Sequence, residues 1–147
     1  MKLSIIVPTY NEVHTIREVL QRVRAVELSV EREIIVVDDG STDGTEEVVS
    51  RHPGVRLIRQ ENQGPAAARN LGASQARGEI LLFTDADCRP VGDWIALMVA
   101  PFREDGEVVG TKGAYLTTQR ELIARFVQME YEDKYERMAG ERYIDFI

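Results

Sequence analysis

The sequence predicts an α/β fold with a mainly parallel sheet. Short β-branched runs alternate along the chain with segments whose apolar residues recur every three to four positions. The runs are apolar throughout, as in strands covered on both faces. Of the 147 residues, 44% are apolar, which suffices for one sizeable core. Strands alternating with helices imply a layered sandwich with right-handed crossovers.

Leu3 to Val7 is the first strand, with Pro8 expected to end it. Ile16, Val19, Leu20 and Val23 share one helical face, so a helix is expected from Val13 to Val26. Ile34 to Val37 is a second strand, followed by an Asp-Asp-Gly-Ser loop. Asp43 with Glu46 reads as a capping box for a short helix ending near His52. Val55 to Arg59 is a third, weaker strand. Pro65 suits a first helical turn, and Ala66 to Ala76 is rich in small residues that allow close packing on a sheet. Ile80 to Thr84 is a fourth strand. Asp93 can cap a helix from Trp94, with Pro101 expected to kink or end it. Val108 to Leu116 has strand character. Thr118 and Glu121 form a capping-box pattern before a helix reaching about Met138.

Composition excludes several functions. Eighteen Lys and Arg against 25 Asp and Glu give a net charge of −7, a poor match for a nucleic-acid backbone. One cysteine permits neither an internal disulfide nor a cysteine-based zinc site. No secretory leader pattern opens the chain, and no apolar run approaches ~20 residues, so a cytoplasmic protein is expected, at most at the cytoplasmic face of a membrane.

In open parallel sheets ligands bind beyond the carboxyl ends of the strands. Polar residues gather there: Thr9, Tyr10, Asn11 and Glu12 after the first strand, Asp38 to Asp43 after the second, Asp85 and Asp87 after the fourth. Converging carboxylates repel unless a cation joins them. Oxygen donors suit Mg²⁺ or Mn²⁺, which also hold phosphates. If the backbone stays extended through Asp85-Ala86-Asp87, both carboxylates face one side. A lone Asp-x-Asp is ordinary turn chemistry; its place at a strand end beside other acidic loops is what suggests a site. The dinucleotide fingerprint, the P-loop and the hydrolase elbow are all missing. His14 and His52 read as surface or helix-end residues, and Cys88 as a small buried one.

Four segments in this order complete the pattern: Ser4-Ile-Ile-Val-Pro-Thr-Tyr-Asn-Glu12, Ile35-Val-Val-Asp-Asp-Gly-Ser-Thr-Asp43, Asn62-Gln-Gly-Pro-Ala-Ala-Ala-Arg-Asn70 and Thr84-Asp-Ala-Asp87. Together they resemble the nucleotide-binding half of family 2 glycosyltransferases, over Lys2 to about Leu116. The resemblance implies a GT-A, Rossmann-like αβα sandwich and a metal-dependent, inverting transfer from a nucleotide sugar, UDP-linked. It implies that Thr9 lies beside the base, with Pro8 shaping that loop, Glu12 near the same pocket and Tyr10 also among the donor-binding residues, and that Asp39 accepts the uracil ring N–H. It places Gly64 at a loop turn, Arg69 near base or diphosphate, Asp85 by ribose or metal, and Asp87 on Mg²⁺ or Mn²⁺. Lys112 and Gly113 match the region facing the donor sugar.

Nothing between Leu116 and Ile147 matches the family's usual base motif; Glu130, Glu132, Asp133, Glu136 and Asp145 read as a solvated helix face. The reading therefore divides the chain into a donor-binding core, 1–116, and a helix opening an acceptor side, 117–147. It expects truncation before the acceptor half, with the base beyond Ile147. A binding module without transferase activity is the alternative. A sugar nucleotidyltransferase would need a glycine-rich basic first loop, which Pro8 to Glu12 is not. The acceptor stays open: saccharide, lipid-linked or other. The aromatic residues after Thr118 suit core packing, or else a dimer or membrane contact.

Overall fold

A computed structural model describes residues 1–26 and 30–113. Met1–Val109 form one compact unit, and a second begins at Gly110. The first contains β1 (Lys2–Thr9), α1 (Ile16–Ala25), β2 (Glu31–Asp38), α2 (Thr45–Ser50), β3 (Val55–Arg59), α3 (Pro65–Gln75), β4 (Ile80–Phe83) and α4 (Trp94–Glu104). The four strands are parallel in the order β3-β2-β1-β4. The chain steps outward from β1 to β3 and then returns to the other side of β1. The topological switch point therefore lies between β1 and β4.

Both sheet faces are covered. On one, Leu3, Ile5, Val7, Ile34 and Val36 pack with Ile16, Val19, Leu20 and Val23 of α1, Val49 of α2, and Ile95 and Val99 of α4. On the other, Ile35 and Val37 meet Ala68 of α3, with Ile58 and Leu71 alongside. Double coverage explains why these strands are apolar at successive positions. Each fully buried aliphatic side chain contributes about 1.5–3 kcal/mol. At Gly72 in α3 a Cβ would stand 2.5 Å from Ile6 Cγ2 and 3.1 Å from Val37 Cγ2. Its missing side chain is what lets α3 approach the sheet.

The structure corrects several local expectations. Pro8 does not end β1; it pairs in register with Val37, and the strand runs on to Thr9. The carbonyl of Ile6 faces β4 and accepts from Thr84 N–H, so Pro8, two residues on, faces the same side. β4 pairing has stopped there, at Ile6 with Phe83, so the absent N–H breaks no ladder bond. α1 starts at Ile16, not Val13, because residues 11–13 bond to the neighbouring loop. Pro101 lies inside α4, which continues to Glu104. Its ring falls in the final turn, and the Asp105 N–H bonds back to the Pro101 carbonyl. Of the strand expected over Val108 to Leu116, residues 108–113 carry none. The helix after Thr118 and the 116/117 boundary lie outside the described residues.

Candidate functional site

The carboxyl ends of the strands carry a set of loops fastened to one another. Asn11 N–H donates to Ser41 Oγ at 2.9 Å, and Thr42 N–H returns a bond to Asn11 Oδ1 at 2.8 Å. Glu12 N–H reaches Thr45 Oγ1 at 2.9 Å, and Val13 N–H reaches Asp43 Oδ2 at 3.1 Å. Asn11 holds φ at +55°, a left-handed conformation that Asn tolerates better than most residues. Asp43 is not an N-cap in a capping box. Gly44 is the cap, and Glu46 is instead bound by Arg59 at 2.6 Å. Asp43 Oδ1 accepts the Thr45 N–H and hydroxyl at 3.0 and 2.5 Å. Burial pushes the Asp43 carboxyl up, but these bonds outweigh it and hold it below the usual range.

Asp39 performs the same service one strand over. It is 3% exposed. Its Oδ1 accepts Gln60 Nε2 at 2.6 Å and Gln63 N–H at 2.9 Å; its Oδ2 accepts Gly64 N–H at 2.8 Å. Burial raises its pKa, yet the bonds from Gln63, Gln60 and Gly64 lower it further, leaving a carboxylate below its ordinary value. Gly64 has φ +89° and ψ 165°, a region essentially closed to residues with a Cβ, and this turns its N–H towards Asp39. An open pocket of about 460 Å³ lies here, lined by Gly40, Arg59, Gln60, Glu61 and Asn62. Arg59 bridges its wall to β2 and α2: Nη1 meets Glu46, and Nε stands 3.9 Å from the fully buried Asp38.

Arg59 ends β3, and Gln60, Glu61 and Asn62 follow it, at a strand end outside the three loops that the sequence points to. The strand-end rule applies to β3 as to the others, and would have found them. Thr9 closes β1; its hydroxyl is buried and has no partner among the described residues. A buried unpaired hydroxyl is rare enough to call for an explanation. Tyr10 is 48% exposed, and the Glu12 carboxylate accepts the Thr15 hydroxyl.

At the end of β4 the backbone is not extended. Cys88 N–H bonds to the Asp85 carbonyl at 3.2 Å, so Asp85 to Cys88 form a turn around the buried Ala86. The turn still gathers the side chains: ligand atoms of Asp85, Asp87 and Cys88 all lie within 4.8 Å of one another. Arg69 Nη2 donates to Asp85 Oδ1 at 2.5 Å, joining α3 to this turn. Asp87 is exposed. Cys88 is half-buried, not fully buried; burial and the adjacent Asp87 and Asp85 push its thiol pKa up. The acidic loops thus divide into two kinds. Asp38, Asp39 and Asp43 are engaged in internal bonds, with Asp38 Oδ2 left without a hydrogen-bond partner among the described residues, whereas Asp85 and Asp87 present oxygens together. Lys112 and Gly113 belong to the second unit.

Comparison with known proteins agrees with this layout. The model of the family described as glycosyl transferase family 2 matches residues 4–142. Glycosyltransferase AglE of Haloferax volcanii is 37% identical over 115 residues, 74% of this chain and 38% of its own length. Staphylococcus aureus TarS 1-349 in complex with UDP-GlcNAc superposes with a TM-score of 0.67 at 30% identity, covering 82% of this chain and 39% of that one. Mannosyltransferase PcManGT from Pyrobaculum calidifontis, in complex with GDP-Man and Mn²⁺, superposes with a TM-score of 0.60 at 39% identity, covering 64% and 30%. The chain thus spans about two fifths, or less, of the length of these relatives. The shared architecture is the GT-A, Rossmann-like sandwich, with α1, α2 and α4 on one face of a parallel sheet and α3 on the other. Fold, loop motifs and sequence match together place the chain in glycosyl transferase family 2.

Proposed function

We propose that the chain binds a nucleotide-sugar donor, UDP-linked, with a divalent cation, and serves transfer of its sugar to an acceptor with inversion. The carrying observation is the Asp85–Asp87 turn, tied to Arg69, at the switch point of the sheet. TarS in complex with UDP-GlcNAc and PcManGT with GDP-Man and Mn²⁺ support the reading.

The donor set fits a hard cation. Two carboxylate oxygens suit Mg²⁺ or Mn²⁺, which complete their shells with water and phosphate oxygens. The soft sulfur of Cys88, half-buried beside them, is a poor match for these hard cations, so the two carboxylates are the ligand set. Asp85 shares its charge with Arg69, so Asp87 is the direct ligand and Asp85 its partner. When bound, the cation supplies Lewis-acid neutralisation of the leaving nucleoside diphosphate.

The chain's own residues do the rest. Arg69 places a guanidinium at the carboxylate pair, where diphosphate oxygens would arrive. Asp39, fixed by three donors, offers a charged acceptor to a base N–H. Thr9 holds the same edge through its backbone, its carbonyl accepting the Asp39 N–H at 2.9 Å. Pro8 and the cross-loop bonds from Asn11, Glu12 and Val13 keep the first loop in place, with Tyr10 exposed over it. Gly64 provides the turn that delivers its N–H to Asp39.

Calorimetric titration of the chain with UDP, with and without Mn²⁺, tests the reading. Binding strengthened by Mn²⁺ is expected; a folded chain that binds no UDP with Mn²⁺ present would contradict it.

A further inference from the structure

Asp39 has fewer acceptor positions than its charge suggests. A carboxylate offers about four lone-pair sites. Two on Oδ1 are taken, by Gln60 Nε2 and Gln63 N–H, and one on Oδ2 by Gly64 N–H. Two of these donors are backbone groups fixed by the turn at Gly64. The third is a side chain that could have been otherwise. Gln60 is held in place from both ends: its own N–H donates to the Asp38 carbonyl at 3.0 Å, and its Nε2 to Asp39 Oδ1 at 2.6 Å, while the residue lines the 460 Å³ pocket.

The nucleobases differ in what they would ask of this carboxylate. Uracil carries one imide N–H on its pairing edge. Guanine carries two adjacent donors, N1–H and the exocyclic amine, which a carboxylate satisfies by offering both oxygens side by side. Only one acceptor position of Asp39 remains, on Oδ2. A guanine would leave one buried N–H unpaired, at a cost that discriminates strongly between otherwise similar ligands.

Resting on the donor-binding reading above, we infer that Gln60 is a positioning residue that sets base preference: by occupying Asp39 Oδ1 it restricts the pocket to a base with a single ring N–H, and excludes guanine. The question is a live one for this fold, since TarS is seen with UDP-GlcNAc and PcManGT with GDP-Man.

The test is titration of UDP and GDP, each with Mn²⁺, into the chain and its Gln60→Met and Gln60→Ala variants. Gln60→Met keeps the length of the side chain and removes the donor. The unchanged chain should prefer UDP by tenfold or more. Both variants should lose most of that preference, chiefly through tighter GDP binding, with circular dichroism and melting profile retained. A merely structural role would weaken both nucleotides together and leave their ratio alone. An unchanged UDP:GDP ratio in folded variants, or equal affinities in the unchanged chain, overturns this inference and spares the donor-binding reading. Failure of the unchanged chain to bind either nucleotide overturns both.

Discussion

Asp39 shows how one buried side chain ties neighbouring loops together. Three donors converge on it in a nearly dry setting, so its ionised form is worth more in the folded state than in the unfolded chain. A carboxyl whose folded pKa is depressed stabilises fully above its unfolded value, about 3.9, and loses that contribution as pH falls through the lower folded value. Asp39→Asn should therefore cost about 1–3 kcal/mol at neutral pH, since an amide must turn a donor towards an existing N–H. Thermal melts from pH 6 to pH 2 check it. The gap between the two proteins should narrow as pH falls below about 4, where the unfolded carboxyl takes up its proton while the native one is still charged, and level off once the native carboxyl is protonated too. A gap that stays constant with pH would show that the cost is steric. The sequence marked Asp39 as a site residue but not its internal partners, because Gln60, Gln63 and Gly64 reach it only through the crossover from β3.

Elements were legible where the signal is local. The β-branched run at Ile34 to Val37 is a strand because helices cover it on both faces, and composition alone conveys that. Helix entry was harder. The polar residues at 41–45 look like caps in the sequence, yet Ser41, Asp43 and Thr45 are consumed by bonds from the first loop, some 30 residues away. The turn at Asp85 to Cys88 is by contrast closed by a local bond three residues apart, whereas Pro8 looked like a breaker only because β4's endpoint could not be seen from β1. At α3 a sharper test exists. Gly72→Ala on helix propensity alone would stabilise by about 1 kcal/mol. The close approach of Ile6 and Val37 predicts the opposite sign, a loss of about 1–3 kcal/mol in urea denaturation, from overpacking. A stabilised variant would show that α3 stands further from the sheet.

Across the described unit, one sheet brings two separate polar clusters to a single edge. The β2–β3 end holds a pocket walled by Arg59, Gln60, Glu61 and Asn62; the β4 end holds the Asp85–Asp87 turn. α3 spans both, since its leading Gly64 bonds to Asp39 and its Arg69 bonds to Asp85. A ligand with a base at one end and a diphosphate at the other matches that division. The net charge of −7 is consistent with it, since an anionic ligand approaches such an edge more readily once a cation occupies it. No described helix is long and apolar enough to cross a membrane.

Cation and nucleotide are proposed to bind as a unit at the β4 turn, and thermal stabilisation reads that coupling. At a ligand concentration of 100 Kd, binding stabilises the folded state by about 2.7 kcal/mol. UDP with Mn²⁺ should raise the melting temperature of the chain well beyond UDP alone, and Asp87→Ala should remove the increment due to Mn²⁺ while leaving the ligand-free melt within about 0.5 kcal/mol of the original, because Asp87 is exposed. An Asp87→Ala protein that kept the full Mn²⁺ increment would contradict the claim.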